Sequence, residues 1–360
     1  DAAMNSGIDN IGIGRAALTD LTQGDYNIAI GNGAGGDITN GTKNINIGST
    51  AGEAMSSASE NTNVGHESGI DITGNTNTCL GYRAGYQIVA GSQNVMIGRV
   101  AGSNITTANQ NIFIGEKAGQ YRQTGNNSIF MGLYAGSGSS TPANNTASAN
   151  IGIGYHAAKS VTSGTTNVVI GCTAGCKLTT GCANVIIGNH TAKEITTGKD
   201  NIYMGNSSGP NTSASTGGCN IVLGYDSGGK IEDGAQNFIT GYDSAKNLTS
   251  GSCNIIMGQS TGNLLTTGGN NVYLGGCAGR CNTTGGFNVA LGHEAAYMMC
   301  CGANNVAIGR GTLKGSSTTT DNTGDTNTAI GHNAGNKITT GSCNAFLGCG
   351  AGSYLTEGCY

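Results

Sequence analysis

Apolar and polar positions alternate along this chain in a five-residue figure: an Asn, an aliphatic residue, a variable residue, a second aliphatic residue and a Gly. It stands as Asn27-Ile-Ala-Ile-Gly31, Asn94-Val-Met-Ile-Gly98, Asn167-Val-Val-Ile-Gly171, Asn254-Ile-Ile-Met-Gly258 and Asn305-Val-Ala-Ile-Gly309. The closing Gly returns 17 residues later almost every time, from Gly14 to Gly348, which makes 20 units. One residue is missing after Gly65, and extra residues follow Gly132, Gly205 and Gly309. Self-similarity at a fixed short period is the mark of a stacked repeat architecture.

With Asn numbered 1, apolar residues at positions 2 and 4 predict a short β-strand closed by the Gly at position 5. Constancy of that Gly among internal copies implies a positive φ or a backbone approach too close for a Cβ. Asn at position 1 tolerates left-handed backbone, bonds its own main chain and can form an amide ladder with its copies. Position 8 is always Ala, Ser or Thr, position 9 is usually Gly, and position 12 is most often Ile, Leu or Val. The common Thr-Thr-Gly at positions 13 to 15, as at Thr179 to Gly181, predicts a second short strand and a turn.

Seventeen residues cannot bury a core alone, so the fold expected is all-β, a parallel β-solenoid (β-roll) of about 20 coils with 17 residues per coil. At the usual strand spacing the stack would be roughly 95 Å long. Residues 1–9 form a lead-in and 10–360 one solenoid, with insertions near 137–149, 210–219 and 315–326. Positions 2, 4, 8 and 12 are expected to line the interior.

Position 3 should then point the other way, yet it too is largely apolar: Met96, Phe113, Phe130, Val169, Ile186, Tyr203, Val222, Ile239, Ile256, Tyr273 and Phe346. A strand apolar on both faces is normally buried on both. These residues are therefore expected to be an assembly seam against another chain or another wall of the same one; the alternative is a flattened coil whose strand crosses the middle and needs no partner. Neither terminus carries a recognisable polar cap, which suggests end-to-end stacking or a segment cut from a longer protein.

Composition narrows the class. Sixty-five Gly with 2 Pro and no Trp excludes both collagen and ordinary globular domains, and 37% apolar residues in strict period argues against disorder. A net charge of −4 with 10% charged residues offers nothing to phosphates, so nucleic acid is not an expected partner. No apolar run approaches a membrane span, and the start shows no signal-peptide pattern, as expected of a mature or excised segment.

All but one of the 13 cysteines lie at or beyond Cys172. Cys172 with Cys176 and Cys277 with Cys281 flank the same turn, and Cys343 and Cys359 fall on adjacent units, so these are the candidate disulfides of an oxidising, extracellular setting. The other reading is that Cys is simply a small stacking residue. No pair has zinc spacing and the calcium-binding repeat pattern is missing, so neither metal nor cofactor is expected.

The unit resembles the head repeat of YadA-like trimeric autotransporter adhesins, most closely at Asn305-Val-Ala-Ile-Gly309 and Asn327-Thr-Ala-Ile-Gly331, and similar repeats of phage tail fibres and environmental fibre proteins. That family's repeat has 14 residues and builds a left-handed parallel β-roll in a homotrimer. The resemblance implies an extracellular fibre on a cell or virion surface, self-assembling as a homotrimer or filament, with cell-surface or matrix glycans as a further partner class.

Catalytic chemistry is not signalled. The five His all fall at positions 6 or 7, and although His332 would stack on Cys349, no carboxylate completes a set. Asp226, Asp243, Glu232 and Asp233 read as solvated turn residues. Thr at position 13 in 12 units raises ice binding, and Tyr82, Tyr155, Tyr225 and Tyr242 raise weak sugar stacking. The function expected is a structural extracellular fibre or adhesive appendage subunit, not an enzyme; the alternative is an ice-binding or carbohydrate-binding module.

Overall fold

The computed structural model describes residues 6–141, 145–316 and 322–358. It divides into two compact units, Asp1–Cys182 and Ala183–Tyr360. The first holds ten three-residue strands, β1 (Ile11–Ile13) to β10 (Val168–Ile170), each paired in parallel with the next in strict register. The second holds ten more, β11 (Val185–Ile187) to β20 (Ala345–Leu347), paired in the same way. Each unit is a parallel β-solenoid with one strand and about 17 residues per turn.

Main-chain bonds between coils run in both directions and explain why each turn templates its neighbour. Ile28 N–H reaches forward to Asn44 (2.8 Å), while Gly48 N–H reaches back to Ile30 (2.8 Å) and Thr50 N–H to Asn32 (2.8 Å). The expected second strand does not form. Positions 12 to 14 make a bend held by bonds such as Thr39 N–H to Ser56 C=O (2.9 Å), and a turn this tight leaves no room for a strand.

The position-5 glycines stand in file, and both reasons for Gly hold. Gly115 has φ +126, and a Cβ there would lie 2.7 Å from the carbonyl oxygen of Gly132 on the next coil. Positions 7 and 17 are also left-handed without being Gly, as at Val100 (φ 61) and Phe287 (φ 59). Such strain persists only where surroundings over-determine it, here by stacking bonds to Tyr82 (2.9 Å) and Gly269 (3.1 Å).

Asn at position 1 turns inward and works as the expected ladder. Asn111 Nδ2 donates to Asn94 Oδ1 (3.1 Å) and across its own coil to Gly125 C=O (2.9 Å), while Asn111 N–H also takes Asn94 Oδ1 (3.0 Å). The amide ladder passes the second and third insertions intact: Asn220 N–H meets Asn201 Oδ1 at 2.9 Å and Asn327 N–H meets Asn305 Oδ1 at 2.9 Å. The strand register is unshifted across all three insertions. Parts of the first and third insertions, 142–144 and 317–321, lie outside the described residues.

The interior corrects one expectation. Position 3 points inward: Met96, Phe113, Phe130, Val169, Ile186, Tyr203, Val222, Ile239, Ile256 and Tyr273 are sealed inside their own units, with Phe346 half-buried in β20. It is positions 2 and 4 that face outward. Core columns are positions 1, 3, 8 and 12, because Asn at position 1 reserves the inner side and strand alternation carries position 3 with it.

Volume is balanced within coils. Over Phe113, Phe130 and Tyr273, position 9 must be Gly, since a Cβ on Gly119 would sit 2.6 Å from the Phe113 ring. Where position 3 is only Gly12 or Ala307, position 9 is Leu18 or Leu313, whose methyl groups cover Gly35 and Gly335 of the next coil. Tyr273, opposite a polar position 12, donates its hydroxyl to Asn271 Oδ1 (3.1 Å) and accepts from Asn282 Nδ2 (2.7 Å). Arg122, the largest buried side chain, stacks over Phe130 (4.7 Å) and donates Nε–H to Gly136 C=O (2.9 Å). Burial pulls it down to about 9.

Candidate assembly surface

Turning position 3 inward leaves two aliphatic columns on the outside of each unit. Along the first unit these include Ile28 and Ile30, Ile45 and Ile47, Val95 and Ile97, Ile112 and Ile114, and Ile129 and Met131. The second continues the pattern with Ile202 and Met204, Ile255 and Met257, and Val306 and Ile308. Twenty strands with two outward positions each make forty, and none carries a charge.

These side chains are half-open: Leu80 is 43% exposed, Ile114 is intermediate and Ile255 is 42% exposed. A full aliphatic side chain corresponds to roughly 100 Å² at the usual transfer coefficient, so a third left open on the outward Ile, Val, Leu and Met side chains of the first unit, all its outward positions but Thr62 and Thr78, gives about 600 Å². That exceeds the few hundred Å² common on monomers and approaches the roughly 800 Å² that one partner contributes to a standard interface.

Several charged side chains on the turns are paired between coils. Arg83 binds Glu67 and holds its carboxyl below the usual range through that hydrogen bond. Arg99 meets Glu116 at 2.7 Å and Lys314 meets Glu294 at 2.8 Å. Lys246 spans Asp226 (2.6 Å) and Asp243 (3.4 Å), which raises its ammonium above the usual range. Asp226 and Asp243 of the acidic cluster are thus joined coil to coil through Lys246.

The hydroxyls and rings that raised ice or sugar binding are engaged within the solenoid. Position-13 threonines donate to the next coil's main chain, as Thr106 does to Gln123 (2.9 Å) and Thr266 to Thr283 (2.9 Å). Tyr225 and Tyr242 stack on each other, centroids 5.2 Å apart and 7° from coplanar, which uses the inner face of each ring.

The remaining candidates divide. His332 Nδ1 lies 3.8 Å from Cys349 Sγ, but the Asn336 amide, which could have oriented the ring, donates to Gly311 C=O (2.9 Å) and Asn333. A groove of about 760 Å³ beside them is lined by Glu294, Arg310, Lys314, Lys337 and others, and its one carboxylate is already bound to Lys314. Of the expected disulfides none forms among the described residues: no bridge joins Cys172 to Cys176 or Cys277 to Cys281, and Cys359, the expected partner of Cys343, lies outside the described residues. Cys281 turns inward onto Met298 (3.6 Å), whereas Cys277 stays at the surface end of the turn, so the two diverge. Among the described residues no three His, Cys, Asp or Glu side chains are grouped to hold a metal ion.

No protein-family model matches the chain, and no curated protein matches it either.

The inward turn of position 3 has a signature that the alternation of apolar residues hides. Its size varies from Gly12 to Tyr273, whereas positions 2 and 4 are aliphatic or Met in most coils, with Thr62, Thr78, Thr240, Thr328 and Phe238 among the exceptions.

Proposed function

We propose that this chain is a structural subunit of an extracellular fibre or adhesive appendage, assembling with copies of itself through the outward faces of its strands. The observation that carries the reading is the pair of uncharged aliphatic columns at positions 2 and 4. Nothing in the fold requires aliphatic residues there, since the core is complete without them, and β-branched rows of this extent serve best against another apolar surface. A second copy is the natural occupant. Its rows repeat at the same strand spacing of about 4.8 Å, so side chains of one copy meet the gaps of the other along each unit. The likeness of the repeat to YadA-like homotrimeric head repeats and to fibre proteins supports the same reading. The engaged Thr and Tyr columns weigh against an ice- or carbohydrate-binding module.

The test compares two neighbours on one strand. Ile114→Asp, combined with Ile97→Asp, should convert the native assembly to monomer in analytical ultracentrifugation while leaving the circular dichroism of the fold unchanged. Phe113→Ala should instead cost about 3–5 kcal/mol of stability, as loss of a core aromatic does. A wild-type chain that sediments as a monomer at assembly concentrations would sink the proposal.

A further inference from the structure

Cys300 and Cys301 are adjacent in sequence, at positions 13 and 14 of the coil that begins at Asn288, and their sulfurs stand 2.9 Å apart. Cys301 is exposed and Cys300 half-buried. The nearest other thiol that Cys300 senses, Cys281 of the preceding coil, is buried and turned onto Met298 (3.6 Å). The reach of Cys300 is therefore to its own neighbour.

We propose that Cys300 and Cys301 form a reversible redox modification site, a vicinal dithiol that closes to a disulfide by exchange with a low-molecular-weight disulfide such as oxidised glutathione. Cys301 acts first, because it is the exposed sulfur of the two and can meet the incoming disulfide, whereas Cys300 is half-buried and burial pushes its thiol up to about 11. Its thiolate attacks one glutathione sulfur; the glutathione disulfide breaks, and one glutathione thiolate leaves and is protonated. Cys300 then attacks Cys301 Sγ and expels the second glutathione. The sum is two protein thiols and one external disulfide giving one protein disulfide and two glutathione thiols. The protein loses two electrons and the glutathione disulfide gains them.

Adjacent Cα atoms are about 3.8 Å apart across a trans peptide, shorter than the roughly 4.4–6.8 Å that disulfides prefer. The closed ring is strained, and strained exposed disulfides are the readily reduced ones. The site is thus suited to cycling rather than to stapling the fold. It also touches the stack, since the Cys300 carbonyl accepts from Thr283 N–H (2.7 Å) and Thr283 Oγ1 (2.9 Å), and Cys300 N–H donates to Asn322 C=O (3.0 Å).

The full chain, first reduced, is incubated with oxidised glutathione and digested for mass spectrometry. The peptide holding both residues should lose two hydrogen atoms and regain them with dithiothreitol, and phenylarsine oxide added beforehand should block the change. Cys300→Ser should stop at a glutathione adduct on Cys301, with circular dichroism reporting that the coil remains. A stable glutathione adduct on the wild-type pair, or a disulfide from either residue to Cys281, would overturn the proposal. If the variant fails to fold, the wild-type masses decide alone.

Discussion

Asn44 Nδ2 donates to Asn27 Oδ1 at 3.0 Å, with both side chains sealed inside the coil. The same amide crosses to Ala58 C=O (2.8 Å), and Asn44 Oδ1 in turn accepts from Asn61 N–H (3.0 Å). One side chain thus ties a coil to the one before it, to the one after it and to its own far wall.

Removing that tie should be costly. Asn44→Ala orphans the Asn61 N–H and the Ala58 carbonyl, each worth about 1–3 kcal/mol when buried without a partner. A loss of about 3–5 kcal/mol is expected from urea unfolding. The natural exception offers the converse experiment. Ser128 still receives the Asn150 N–H (3.3 Å), but its short hydroxyl bonds to Asn126 rather than across the coil. Ser128→Asn should therefore gain about 1 kcal/mol, one added hydrogen bond; an unchanged or lower melting temperature would count against a stabilising ladder.

Two glycines one position apart in the repeat should behave oppositely. Gly115→Ala places a methyl 2.7 Å from the Gly132 carbonyl at φ +126, so a loss of at least about 2 kcal/mol is expected. Gly276 meets only the His293 ring edge at 3.4 Å and has an ordinary φ. Gly276→Ala should be neutral or slightly stabilising through the unfolded state. Equal melting temperatures for the two variants would contradict the close stacking of position 5.

Alkaline pH should loosen the second unit through its core tyrosines. Burial raises both Tyr203 and Tyr273 well above the ordinary phenol value of 10.0. The folded state keeps these protons where the unfolded state releases them, so the stabilisation is complete below pH 10 and is lost as pH rises beyond it. Urea midpoints measured from pH 8 to 11 should fall, and the double variant Tyr203→Phe, Tyr273→Phe should flatten that fall. At neutral pH the Tyr273→Phe change alone should cost about 1–2 kcal/mol, since Asn282 Nδ2 loses its partner. A wild-type midpoint independent of pH over this range would refute the assignment.

Much of the fold was readable before any coordinates. The 17-residue step, the invariant Gly and the recurrent Asn lead directly to stacked coils, because only a backbone constraint repeated in every copy demands the same residue in every copy. The candidate surface was half readable. Phe113 and Ile114 were both visible as apolar neighbours on one strand, but alternation says only that they face opposite ways, not which way is in. The cysteine pairs fared worse, since Cys277 and Cys281 share a turn in sequence while one side chain enters the core and the other does not.

By itself, then, the sequence determined the period, the strand, the corner and the amide ladder, since each follows from local backbone chemistry repeated along the chain. Only the tertiary structure decided that Phe113 is core and Ile114 is surface. That choice depends on where Asn111 points and on whether Gly119 leaves room for a ring, and both are settled by atoms several residues away that meet only when the coil closes.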